Sequence, residues 1–373
     1  MNDTSRYLND ALSIAVEKMR NGSISRRQLL QLTALFGASA MASGIAPTRV
    51  RAEVKELIFA MWGGDAEQAY QEAWGKPFTE KTGIEVVMDG SGPTAGRVRA
   101  MVEAGNVTWD IVDGGVGTQA ALGAAKAAQE IDYSIVDPKK TLPGTDYKWG
   151  ATVFVYGNVL TYDTKAFGGE TPKDWVDFWD VKKFPGKRVL YKYMVGTLEA
   201  ALMADGVPMD KLYPLDVDRA MKKLEELKPH VILWDTGASS QQVFRDGEVT
   251  MGQIWHTRAN LLKQESNGRF DFTFNQGLLQ PGVMSVPVNN PAGTKIAMDF
   301  LASMQNPEAQ VKLLELLGNG PANPEANGLY GPELAAINPA SPENVKLMVL
   351  QNADWYGEYL VPVTKQFMDL MAS

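Results

Sequence analysis

Glu56-Leu57-Ile58-Phe59-Ala60-Met61-Trp62 is a short apolar run that stops at Gly63-Gly64. A run of this length, closed by a turn signal, reads as a buried β-strand. Residues 66–81 follow with Tyr70, Trp74 and Phe78 at i, i+4 spacing, which puts three rings on one face of a helix. The pattern then repeats. Ile84-Glu85-Val86-Val87-Met88 is stopped by Gly90-Ser91-Gly92, residues 95–104 are helical, and Trp109-Asp110-Ile111-Val112-Asp113 is closed by Gly114-Gly115. Three strands with helices between them make a βαβαβ unit and so a parallel sheet with right-handed crossovers.

Beyond this unit, residues 151–163 are β-rich and long enough to cross to a second lobe. There the strands Arg188-Val189-Leu190-Tyr191, Val231-Ile232-Leu233-Trp234 and Val249-Thr250-Met251-Gly252-Gln253-Ile254-Trp255 alternate with helical stretches at 197–205, 217–227, 240–246 and from Arg258 onward. Residues 272–288 are strand-rich again and are expected to return the chain to the first lobe, and helices are expected over 295–304, 307–317, 342–350 and 362–371. The expected architecture is α/β and two-lobed, with two crossovers and parallel-core sheets flanked by helices. Lobe 1 takes residues 53–155 and 275–373, and lobe 2 takes 156–274. Ligands of open α/β sheets sit at the carboxyl ends of the strands, so a cleft between the lobes is the expected site.

Before the first strand lies Ser25-Arg26-Arg27-Gln28-Leu29-Leu30, then no charge until Arg49, then Val50-Arg51-Ala52 ahead of Glu53. The uncharged run is too diluted by Gly, Ser, Thr and Gln to make a good bilayer span, and the small-residue ending is a cleavage signature. Residues 1–52 are similar to a twin-arginine signal peptide, which implies the twin-arginine translocase as a partner in export and a periplasmic location. The leader carries seven Lys/Arg and three Asp/Glu; the remaining 321 residues hold 29 basic and 41 acidic groups, net −12. Such acidity argues against nucleic acid as a partner. The chain has no cysteine and two histidines, which removes disulfide and thiolate chemistry and makes a histidine-rich metal site a poor fit.

From the first lobe onward the chain resembles the periplasmic solute-binding proteins of ABC importers, in the spermidine/putrescine-binding-like family. The most specific stretch is Pro172-Lys173-Asp174-Trp175-Val176-Asp177-Phe178-Trp179-Asp180-Val181, continued by Lys183-Phe184-Pro185-Gly186-Lys187. Gly83-Ile84-Glu85-Val86, Asp246-Gly247-Glu248-Val249 before Trp255, Ser285-Val286-Pro287-Val288 and Ala297-Met298-Asp299-Phe300-Leu301 follow the same order along the chain. The resemblance implies capture of a small solute and its delivery to a membrane permease. It does not by itself fix the solute; the polyamine receptors of the family need carboxylates for the ammonium groups and aromatic walls for the methylene chain. Tyr193, Gly196 and Thr257, however, stand where the family pattern carries acidic residues, and Arg258 would repel a polycation. These departures admit an amino-acid-like or zwitterionic compound.

Candidate ligand contacts are therefore Trp62, Ser91, Asp113, Tyr156, Tyr193, Thr197, Asp235, Trp255, His256 and Arg258. Ser91 offers a hydroxyl and free N–H groups before a helix, which suits a carboxylate or phosphonate. Asp113 and Asp235 suit an ammonium, although a cap or turn role competes for each. Trp62 and Trp255 suit aromatic walls, Tyr156, Tyr193 and Thr197 lie near strand or helix ends, and Arg258 suits a carboxylate fork. Glu199 belongs to the same neighbourhood but is as ready to face away. The competing reading is a twin-arginine-exported enzyme with a small-molecule cleft. Its best support is Gly115-Val116-Gly117-Thr118-Gln119-Ala120, which follows a strand and opens a helix as a dinucleotide fingerprint does, but on the third strand instead of the first. No catalytic residue and no cofactor is expected.

Overall fold

The computed structural model describes residues 54–373, so the expected export leader lies outside the described residues. The first three apolar runs are strands β1 (Glu56–Ala60), β2 (Glu85–Asp89) and β3 (Ile111–Gly114), paired in parallel with β1 in the middle. Between them, α1 (Asp65–Tyr70) passes through a π-helical turn, Gln71–Gly75, into α2 (Lys76–Thr82), and α3 (Ala95–Glu103) is capped by the Thr94 side chain. The aromatic stripe of 66–81 packs as expected: Tyr70, Trp74 and Phe78 are all buried beside Phe59, Phe154 and Phe300. α4 (Val116–Ala124) leaves β3 directly.

The chain then turns at β4 (Asp146–Tyr147) into β5 (Gly150–Asp163), a 14-residue strand that reaches the second lobe. This lobe contains α5 (Trp175–Trp179), β6 (Arg188–Tyr191), α6 (Thr197–Ala204), α7 (Val217–Leu227), β7 (Val231–Trp234), α8 (Gly237–Arg245), β8 (Met251–Trp255) and α9 (His256–Glu265). The 16-residue β9 (Phe270–Ser285) returns antiparallel to β5, followed by α10 (Thr294–Ser303), α11 (Pro307–Leu317), β10 (Gly320–Pro321), α12 (Pro332–Ile337), β11 (Met348–Leu350) and α13 (Ala353–Ala372). The strand order β2-β1-β3-β9-β5-β8-β6-β7 shows two parallel triads joined through the antiparallel β9–β5 pair. This is the two-lobed α/β architecture with two extended crossings.

The Pro172–Lys187 stretch folds around one buried cation. Arg188 is fully buried and donates to the carbonyls of Phe178 at 3.0 Å and Gly186 at 2.8 Å, and to that of Phe184. Burial pushes its pKa down to about 10, still well above neutral pH. Asp174 caps α5, and the Trp175 indole donates to the Gln276 carbonyl of β9 at 2.8 Å, which ties the motif to the return crossing.

Two differences from the sequence reading concern the C-terminus. Residues 342–350 are a 3-10 turn and strand β11 instead of a helix, and α13 starts at Ala353, nine residues before Pro362. Pro362 lies inside the helix on an exposed face, where water can satisfy the carbonyl that its missing N–H leaves free. α13 also packs on the second lobe: Trp355, Tyr356, Val363 and Phe367 share a core with Trp175, Phe178, Leu198 and Leu224. The same helix lies against α4 of the first lobe, so it touches both lobes.

Candidate functional site

The carboxyl ends of β1, β3, β6 and β8 converge on a cavity of about 340 Å³, with Trp62, Asp113, Tyr191 and Trp255 at or just past those ends. Its floor is the crossing pair, where Tyr156 of β5 and Gln280 of β9 face each other in register. Aromatic rings from both lobes form one part of the wall. Trp255 meets Tyr156 edge-on at 6.2 Å between centroids and Tyr191 at 5.7 Å, and Trp234 stacks behind Tyr191 at 4.1 Å. The Trp62 indole is fixed by its N–H, which donates to the Asp113 carbonyl at 3.2 Å.

Two charged residues line this wall, one from each lobe. Asp113 on β3 is 5 % exposed and accepts from the Tyr70 hydroxyl at 3.1 Å. Burial raises its pKa and the Tyr70 hydrogen bond pulls it back, leaving it at about 7. Arg258 on α9 is 4 % exposed, and burial pushes its pKa below the usual guanidinium value. Its Nη1 donates to Asp65 Oδ2 across the cleft at 3.2 Å, while its Nε has no partner. A Cβ at Gly237 would stand 2.4 Å from that Nε, so only glycine lets α8 approach the guanidinium so closely. The N-termini of α4 and α9 also face the cavity, and neither has a side-chain cap. Free N–H groups and the helix dipole there favour an anion. The Gly115–Ala120 stretch is thus the uncapped start of α4 beside the cleft.

Of the ten candidate contacts, Trp62, Asp113, Tyr156, Tyr193, Trp255 and Arg258 line the cavity. Four lie elsewhere. Ser91 is exposed at the end of the edge strand β2, where Arg97 binds its hydroxyl at 3.0 Å and its carbonyl at 2.7 Å. Thr197 is fully buried against β8, its hydroxyl donating to Gln253 Oε1 at 3.3 Å. Asp235 pairs with Lys192 at 3.0 Å and accepts from Ser239, a loop-ordering role. His256 is fully buried: its Nδ1 accepts from the Gly157 N–H at 2.9 Å, so its Nε2 carries the proton and donates to the Gly318 carbonyl at 2.7 Å.

Several lining residues escaped the sequence reading. Tyr191 ends a recognised strand and had the same positional signal as Trp255; Tyr70 was absorbed into the packing stripe. Gln280, Asn319 and Gln351 come from the return crossing and the tail, and Leu360, Val361 and Thr364 from α13, where no local pattern points to a cleft.

The family described as bacterial extracellular solute-binding protein matches residues 73–339. The gamma-aminobutyric acid-binding protein of Pseudomonas aeruginosa is 29% identical over 325 residues, covering 85% of this chain and 91% of that protein. The spermidine/putrescine-binding periplasmic protein 1 of Haemophilus influenzae is 22% identical over 301 residues, covering 75% of this chain and 79% of that protein. The solved structure of the binding protein MotA from A. tumefaciens B6, in complex with glucopine, is 30% identical with a TM-score of 0.80, covering 85% of this chain and 99% of that one. Among the described residues, no helix is long and apolar enough to cross a membrane. Sequence match and cleft agree across most of the chain, which belongs to the bacterial extracellular solute-binding proteins.

Proposed function

We propose that this protein is the periplasmic receptor of an ABC importer and that its solute is a small zwitterion, amino-acid-like in having one ammonium and one carboxylate group. The observation that carries this reading is the pairing of one buried acid with one buried base, Asp113 and Arg258, in an otherwise largely apolar cavity. A buried charge must be paired, so a solute bearing two opposite charges satisfies both at once. Asp113 holds the ammonium, with Tyr156 and Trp255 as ring faces beside it. The Arg258 guanidinium and the uncapped helix starts hold the carboxylate. A linear polyamine leaves Arg258 unmatched. The relatives named for gamma-aminobutyric acid and glucopine support this choice over the polyamine one.

The same reading divides the protein into lobes at 53–155 with 275–373, and 156–274, closing on the solute by bending the β5–β9 pair. It takes residues 1–52 as a twin-arginine leader and a membrane permease as the receiving partner. Calorimetry and thermal shift with 4-aminobutyrate, opine-type amino acid conjugates and putrescine test the solute. Zwitterions should raise the melting temperature, and Arg258→Ala should weaken them by roughly 1.5–3 kcal/mol. A preference for putrescine, unaffected by Arg258→Ala, would overturn the assignment, and consumption of the solute would favour an enzyme. Replacing Arg26 and Arg27 by Lys together should retain the precursor in the cytoplasm; unchanged export and processing would remove the twin-arginine route.

A further inference from the structure

The C-terminal helix α13 contributes Leu360, Val361 and Thr364 to the cavity lining. Its position is held from both lobes. On the first-lobe side it lies against α4 so closely that a Cβ at Gly117 would stand 2.7 Å from Leu360 Cδ2, and one at Gly357 3.1 Å from the Ala120 methyl. On the second-lobe side the Tyr356 hydroxyl donates to the buried Glu199 carboxylate at 2.7 Å and accepts from the Gly196 N–H at 3.2 Å. Tyr213 donates to the same carboxylate at 2.6 Å, and the Thr364 hydroxyl donates to the Tyr193 carbonyl at 3.3 Å.

Apart from Thr364, whose hydroxyl is spent on Tyr193, the part of the wall that this helix presents is aliphatic. Leu360 and Val361 offer no hydrogen bond and no charge, and Val361 is 73 % exposed, which puts it at the rim and Leu360 further in. A solute long enough to reach this side brings a polar or charged end against two aliphatic side chains. That end loses water and gains no partner.

We propose that α13 is a length gate: Leu360 and Val361 restrict the cleft to short solutes and exclude those with a distal charged group. The proposal rests on the zwitterion reading and adds its upper length limit. The test compares binding of 4-aminobutyrate, 6-aminohexanoate and 1,4-diaminobutane to the wild type, Leu360→Ala and Val361→Asp by calorimetry, with thermal melts to confirm folding. The wild type should favour 4-aminobutyrate over 6-aminohexanoate by roughly tenfold or more, a discrimination within reach of a methylene-sized mismatch. Leu360→Ala should narrow that ratio several-fold, and Val361→Asp, at an exposed position that tolerates the change, should bring in the diamine. If the wild type binds 4-aminobutyrate and both folded variants keep its length preference, the gate is overturned and the zwitterion reading stands. If the wild type prefers 1,4-diaminobutane to both amino acids, the zwitterion reading falls and the gate falls with it. Absence of binding to every protein overturns both.

Discussion

Asp113 is the side chain on which solute chemistry turns. Burial holds its carboxyl near pH 7, with the Tyr70 hydroxyl opposing that shift, and Tyr156 faces it from the crossing strand. Below about pH 7 a bound ammonium must displace a proton from this group. Affinity for an amine-bearing solute should therefore fall about tenfold per pH unit below 7 and level off above it. Asp113→Asn should be weak and nearly pH-independent. A wild-type affinity that stays flat from pH 5 to 8 would take Asp113 out of the site. Trp62, Asp113, Tyr193 and Trp255 were legible as residues at or just past strand ends, because the carboxyl ends of a parallel sheet must converge. Ser91, Thr197 and Asp235 satisfied the same positional rule, yet nearby partners had already engaged each one: Arg97, Gln253 and Lys192. Position along a strand is written in local pattern, whereas the partner of a side chain is set by elements far away in sequence.

At the scale of elements, His256 shows how such a partner is set. It starts α9 but binds the Gly157 N–H of β5 and the Gly318 carbonyl after α11, so one ring joins three segments. Burial pushes its pKa from 6.5 down to about 4. The folded protein excludes a proton that the unfolded chain accepts, so this contribution is complete above pH 6.5 and is lost as pH falls to about 4. The loss is on the order of 3 kcal/mol. Asp113, with its raised pKa, tilts the curve the other way, favouring the fold at low pH and losing that effect as pH rises to about 7. Melting temperatures from pH 4 to 7 should fall toward acid less steeply in His256→Gln than in the wild type; parallel curves would refute the assignment. The eight strands of the main sheet path and most helices were legible from apolar periodicity. Of α13 only the half from Pro362 onward was, because Pro362 reads as a helix start and, with the exposed Val361 beside it, masks a continuous helix whose buried face is spread over Trp355, Tyr356, Val363 and Phe367.

At the scale of the molecule, Asp65 and Arg258 are the charged pair that spans the cleft directly. Arg258 is buried and Asp65 is exposed at the rim, so water screens the pair and its share of the closed state is modest. Asp65→Ala should speed solute release by roughly two- to fivefold while leaving the capture rate little changed, as stopped-flow fluorescence of Trp62 and Trp255 would measure. An unchanged release rate would mean that the solute itself holds the lobes together. The two-lobed plan was readable from the order of strands and helices, since two α/β units with two extended connections leave few other arrangements.

The connections themselves are two long strands, hydrogen-bonded along most of their length and offset at two irregularities, between Thr152 and Phe154 and between Asn158 and Leu160. Tyr156 and Gln280 lie between those offsets. On the proposed closure, opening twists a ribbon about these two joints and need not melt a loop, and the segment between them turns as one plate that carries the cavity floor with it. Amide protons flanking the offsets should exchange with solvent faster when solute is removed, while those of Val155 to Gly157 stay protected in both states. The receptor would thus behave as a torsion spring whose resting angle the solute resets.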